Sequence, residues 1–158
     1  MRVIAPDLDA ITQARGGEHK LGQVCWRPPA EAGWLEAIQQ ACVAGVRFVV
    51  LGVPEHEGVL ANHGVAGARE AWECVLPGIA NVQSNRFLSG ADVWIAGAME
   101  LGDLRLHVSG WTGSDREVAD ARVQVEALDS QLTALLEPLF AAELHPIVVG
   151  GGNNNSLP

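Results

Sequence analysis

The patterns along these 158 residues predict an α/β fold built on a parallel sheet, and three observations carry that expectation. Three short runs, VRFVVLGV at 46–53, DVWIAGAM at 92–99 and IVV at 147–149, are almost continuously apolar and rich in β-branched residues; strands buried on both faces read this way. Segments with helical spacing alternate with them. The connections are long enough for the crossovers that parallel strands require. The expectation is one α/β domain over 1–158, with about three core strands and helices against the sheet.

Residues 1–30 are broken by Gly16, Gly17, Gly22, Pro28 and Pro29 and show no period, so they read as an irregular arm with Trp26 as its anchor. AEAGWLEAIQQACVA at 30–44 places Trp34, Ile38, Ala41 and Cys42 on one helical stripe that Gly45 ends. After the first strand, PEHEGVLANHG reads as a long polar loop, and a second helix is expected over 67–76, stopped by Pro77 and Gly78. The second strand contains Gly97, which allows a neighbouring backbone to approach closely. Ser114-Asp115-Arg116-Glu117 is a capping-box pattern opening a helix of about 25 residues, in which Val118, Ala121, Val125, Leu128, Leu132, Leu135, Leu136 and Leu139 keep one apolar face. Pro138 kinks or ends it. His145-Pro146 leads into the third strand and then into Gly150-Gly151-Gly152. In a parallel sheet the carboxyl ends of the strands meet ligands, so PEHEGVLANHG, the segment after Met99 and GGGNNNSLP are expected to share one rim.

Ten Lys and Arg against nineteen Asp and Glu give a formal charge of −9, a sign that repels nucleic-acid backbones and anionic lipid; neither is an expected partner. No run reaches the roughly 18 apolar residues of a membrane span, and MRVIAPDLDA has no signal-peptide core; a cytoplasmic location is expected. Cys25, Cys42 and Cys74 match neither a zinc knuckle nor a redox pair and read as reduced thiols, Cys42 as a core residue.

Chemistry is sparse. The glycine run after a strand could cradle a phosphate, but no GxGxxG or GK[ST] accompanies it. His56 and His63 bracket a loop that also holds Glu55, Glu57 and Asn62, donor types that suit a divalent ion; their separation of seven residues is no standard ligand spacing, and solvated or hydrogen-bonding histidines account for it. Asp7-Leu8-Asp9 reads as a solvated turn, and His19, His107 and His145 as structural or surface residues. There is no GxSxG, and no cysteine has a readable histidine and acid beside it, so no catalytic set is complete.

VVLGVPEHEGVLANHGVAGAREAWE, NVQSNRFLSGADVWIAGAMELGD and HPIVVGGGNNN, in that order, resemble the N-terminal half of the ureohydrolases, the arginase and agmatinase group, and most closely their formimidoylglutamase-like branch. The likeness runs over 48–155, about two thirds of the chain, and Asn81 to Leu88 is its most specific piece. The resemblance implies a three-layer arginase-like fold, with 31–158 as its N-terminal half, and a hydrolase of guanidino or formimino C–N bonds using two manganese ions. It also implies pocket-loop residues Glu55, His56, Asn62, Asn154 and Asn155. Asn153 stands where the family has its first histidine ligand, His56 where the branch has aspartate, and DxHxD and SxDxD segments do not occur in these 158 residues. The expectation is therefore no catalytic residue and no manganese centre in this chain alone. The expected partner is a second copy or a complementary ureohydrolase chain; the alternative is a noncatalytic interaction or regulatory protein that docks through an open sheet edge.

Overall fold

The computed structural model describes residues 2–106, 108–156 and 158. Val3–Ile4 is strand β1, and Leu8–Ile11 and Leu21–Val24 are short helices α1 and α2. Trp34–Ala44 is α3, Phe48–Gly52 β2, Glu57–Ala61 α4 and Ala71–Ala80 α5. Val93–Met99 is β3, Asp115–Ala141 α6 and His145–Val149 β4, with 3-10 turns at Ala68–Glu70, Gly102–Leu104 and Asn153–Ser156. The described strands lie in the order β1-β3-β2-β4; β2 runs parallel to β3 and to β4, and β1 runs antiparallel to β3.

The three expected strands thus form a parallel core, but the sheet as a whole is mixed and open, with four strands. The fourth comes from the arm. Residues 1–30 are not irregular throughout: they supply β1, α1 and α2, and the Trp26 N–H donates to the Val93 carbonyl at 2.9 Å. Trp26 also meets Trp94 edge to face at 5.3 Å between centroids. Pieces this short have no periodicity of their own, so their order comes from what they pack against.

From β2 the chain steps one way to β3 and then back across β2 to β4. Crossovers of one hand that travel in opposite directions put their helices on opposite faces, and the apolar layers divide accordingly. Ala37, Ile38 and Ala41 of α3 and the leucines of α6 cover Val49, Leu51, Trp94 and Ala96. Trp72, Leu76 and Ala80 of α5, with Leu8 and Cys25, cover Val50, Val93 and Ile95. Residue parity along β2 and β3 explains the split, since successive side chains point to opposite faces.

The capping box of α6 forms as its sequence predicts: Ser114 Oγ accepts from the Glu117 N–H, and Glu117 Oε2 accepts from the Ser114 N–H at 2.9 Å. Hydrogen bonds from Thr112 and Ser114 hold the Glu117 carboxyl at about 2. Every residue of the predicted stripe is buried except Val125, which is half-buried. Burying a leucine contributes about 1.5–3 kcal/mol, and that face fixes the helix despite Pro138 inside it. Pro77 likewise lies within α5 instead of ending it; Glu73, whose carbonyl loses its partner, is exposed, so water can bond the freed oxygen. Cys42 is exposed, with Ala37 taking the buried position in α3. No helix among the described residues is long and apolar enough to cross a membrane.

Gly97 has φ +123°, and a Cβ there would run into the Ile4 carbonyl of β1. We expect Gly97→Ala to destabilise the protein by about 1–3 kcal/mol and to release β1. Denaturant unfolding would report the first effect, and faster amide exchange at Glu100, whose N–H donates to Arg2, the second.

Candidate functional site at the carboxyl rim

In sheets of this kind, ligands meet the crevice outside the carboxyl ends where the strand order reverses. Here that point lies between β2 and β4, whose carboxyl ends, Gly52 and Val149, are register partners. The Val53 N–H continues the ladder, donating to the Val149 carbonyl at 2.9 Å. Two loops leave from there, Pro54 onward and Gly150 onward.

The first is not the polar loop its composition predicts. It turns at once into α4, and Glu55, His56 and Glu57 are 0%, 2% and 0% exposed. Each carboxylate is buried because backbone donors surround it. Glu55 Oε2 accepts from the Gly58 N–H at 2.9 Å; its Oε1 accepts from the Gly152 N–H in a short bond and from Asn155 Nδ2 at 3.2 Å. Glu57 Oε2 accepts from the His56 N–H at 2.8 Å, while its Oε1 accepts from Arg69 and from the Leu106 N–H, both at 2.7 Å. Hydrogen bonds to a charged acceptor are roughly twice as strong as neutral ones, which is what permits two carboxylates to lie out of water, one of them paired with the partly exposed Arg69.

The glycine loop is shaped around Glu55. Gly151 has φ +84°, and a side chain on it would collide with Asn155 Nδ2 and Glu55 Oε1. The anion that the Gly152 N–H meets is the protein's own Glu55 carboxylate. Asn155 Nδ2 also donates to the Gly150 carbonyl at 3.1 Å, and Asn154 Nδ2 to Asp129 Oδ1 of α6 at 2.8 Å. Asn154 and Asn155 therefore fasten the loop, as turn asparagines do. Asn153 is exposed and, with Asn62, Gly58 and Val59, borders an open cleft of about 380 Å³. The predicted residues are thus brought to one rim but divided: Glu55 and His56 lie beneath it, Asn62 and Asn153 at its surface.

The segment after Met99 borders a second cleft, of about 570 Å³, with Trp72, Glu70, Glu73, Glu100, Arg69 and Arg105 around it. Arg69 connects this cleft to the buried Glu57. Neither Arg69 nor Asp129 carries a sequence signal: one sits in a 3-10 turn, the other beside the apolar stripe of α6. His63 is exposed while His56 is buried, so the two histidines do not face solvent together. Of Asp7-Leu8-Asp9, Asp7 caps α1 through the Ala10 N–H at 3.1 Å and Asp9 pairs with Arg27 at 2.7 Å. His145 is exposed, and His107 and Leu157 lie outside the described residues.

The donor set does not fit a two-manganese centre. Such ions need carboxylate and imidazole ligands, yet Glu55 and Glu57 are engaged by internal donors and the cleft beside the glycine loop offers asparagine amides. Among the described residues, no three His, Cys, Asp or Glu side chains come together in a way that could hold a metal. His56 carries two of the site's buried polar atoms that lack a partner, beside Arg69 Nε and Asn154 Oδ1. Both its ring nitrogens are buried without a hydrogen-bond partner, a state that costs about 1–3 kcal/mol per group. Burial holds its pKa below the ordinary 6.5, the Arg69 charge adds to the depression, and the carboxylates of Glu57, Glu70 and Glu55 oppose it.

Comparison with protein-family models, with curated proteins and with solved structures finds no match to the chain.

Two outcomes are expected. Glu55→Gln exchanges a charged acceptor for a neutral one and should lower stability by about 1–3 kcal/mol, with amide exchange rising first at Gly58 and Gly152. For His56, the unfolded chain binds a proton near pH 6.5 that the folded chain refuses. Its contribution is full above that pH and is lost as pH falls from there through the depressed folded value. Urea unfolding across this window should show a slope that His56→Leu reduces.

Proposed function

We propose that this chain forms the first wall of a ureohydrolase-like C–N hydrolase site, of formimidoylglutamase or arginase type, on what is the N-terminal half of a three-layer arginase-like sheet. The observation that supports the reading is the Glu55 clasp. LGVPEHEGVLANHG and PIVVGGGNNN, two of the segments that carry the family resemblance, meet through this one carboxylate at the reversal point of the sheet. On this reading, cleavage of a guanidino or formimino bond needs ligands that a complementary chain supplies, because Asn153 is the rim residue where the family has histidine. By itself the chain is inactive.

A second reading is favoured by a different observation. The carboxylates are fully engaged by internal donors, and β4 is an open edge of the described sheet. These features suit a noncatalytic interaction protein that keeps the scaffold and docks through that edge.

The test measures manganese binding by calorimetry, and ammonia or urea release from guanidino and formimino compounds. The chain alone is expected to show no stoichiometric micromolar site and no release, and Asn153→His to recover little. Adding a polypeptide that carries DxHxD and SxDxD segments is expected to produce release. Activity of the chain alone would refute the first reading, and inactivity of a formed complex would favour the second.

A further inference from the structure

We propose that two copies of this chain pair antiparallel through β4, about a two-fold axis at Val148. The inference deepens the second reading and rests on its open edge. It starts from which backbone groups face outward. The His145 N–H donates to the Arg47 carbonyl at 2.8 Å and the Val149 carbonyl accepts from the Val53 N–H at 2.9 Å, so residues 145, 147 and 149 direct their polar groups at β2. The peptide bonds among the described residues are trans, and in a trans peptide N–H and C=O point opposite ways. The open edge therefore presents the Pro146 carbonyl, both groups of Val148 and the Gly150 N–H. Pro146 falls where its missing N–H would have faced outward, as proline in edge strands does.

That leaves two donors and two acceptors, symmetric about Val148. An antiparallel partner of the same sequence, centred there, matches all of them: Val148 exchanges both bonds with Val148 of the other copy, and each Gly150 N–H meets the other copy's Pro146 carbonyl. The Gly150 carbonyl, which would otherwise face the proton that Pro146 lacks, already accepts from Asn155 Nδ2 at 3.1 Å. The same register sets Ile147, 47% exposed, opposite the half-buried Val149 of the partner on the α5 face, an apolar cross-strand pair made twice. Self-complementarity about one point is what a two-fold interface requires. A parallel strand from a different polypeptide would also match the four backbone groups, and the experiment separates the two occupants.

The mass in solution is measured by light scattering for the full chain and for Ile147→Lys, whose folding is checked by circular dichroism. Val148→Cys is made in a Cys42→Ser, Cys74→Ser background, since both native thiols are exposed. The full chain is expected at twice 16.7 kDa and Ile147→Lys at half that. Val148→Cys is expected to cross-link to its own copy on mild oxidation, because Cα atoms about 5.5 Å apart in a hydrogen-bonded pair lie within disulfide reach. A monomer at every concentration, a dimer that Ile147→Lys leaves intact, or no cross-link through residue 148 would overturn the pairing. A complex in which another polypeptide covers β4 would overturn the pairing of copies while keeping the docking reading. If Ile147→Lys fails to fold, the cross-link alone decides.

Discussion

Glu55 reaches across 97 residues of sequence to hold the glycine loop beside the turn that follows β2. A carboxylate at 0% exposure would be intolerable in an apolar surround, since burying an unpaired charge costs far more than a folded domain can supply. It is tolerated because N–H groups from both loops converge on it. The constraint works in both directions: the charge demands that the loops stay closed around it, and the loops can close tightly only because Gly151 and Gly152 have no side chains to intervene. The negative charge of Glu55 is satisfied below the rim, and what borders the cleft beside the glycine loop is uncharged, glycine and asparagine for the most part.

Much of the fold was legible because it rests on local pattern. The capping box at Ser114 and the apolar face of α6 translate directly into a 27-residue helix, and the β-branched runs translate into three parallel strands. What escaped has a common cause. β1, α1 and α2 are two to four residues long, too short for a period, and exist through pairing with β3 and packing under α5. Cys42 keeps the spacing of the stripe, yet the buried face of α3 runs through Ala37, Ile38 and Ala41 and leaves it exposed. Pro77 does not stop α5, and Pro138 does not stop α6, because each lies inside a helix whose buried face continues past it.

At the rim, the sequence identified which segments meet but not which way their side chains turn. Glu55 and Glu57 are polar residues in a polar-looking stretch, and donors brought by Gly152, Leu106 and Arg69, outside that stretch, join the local N–H groups of Gly58 and His56 in making their burial possible. Asn154 and Asn155 proved to be fasteners, while Asn153 alone of the three is exposed. A composition suited to binding thus resolves into an inner charged layer that organises backbone and an outer layer of weak donors. The ureohydrolase-like reading asks the first layer to be a platform; the docking reading asks nothing more of it than stability.

The two flanks of the sheet are unequal. β1 contributes only Val3 and Ile4 against Met99 and Ala98, and so short a strand gives an incoming chain little to grip. On the proposed pairing through β4, addition is confined to one side, and an assembly whose one adhesive flank is matched closes as a unit and does not grow into a fibre.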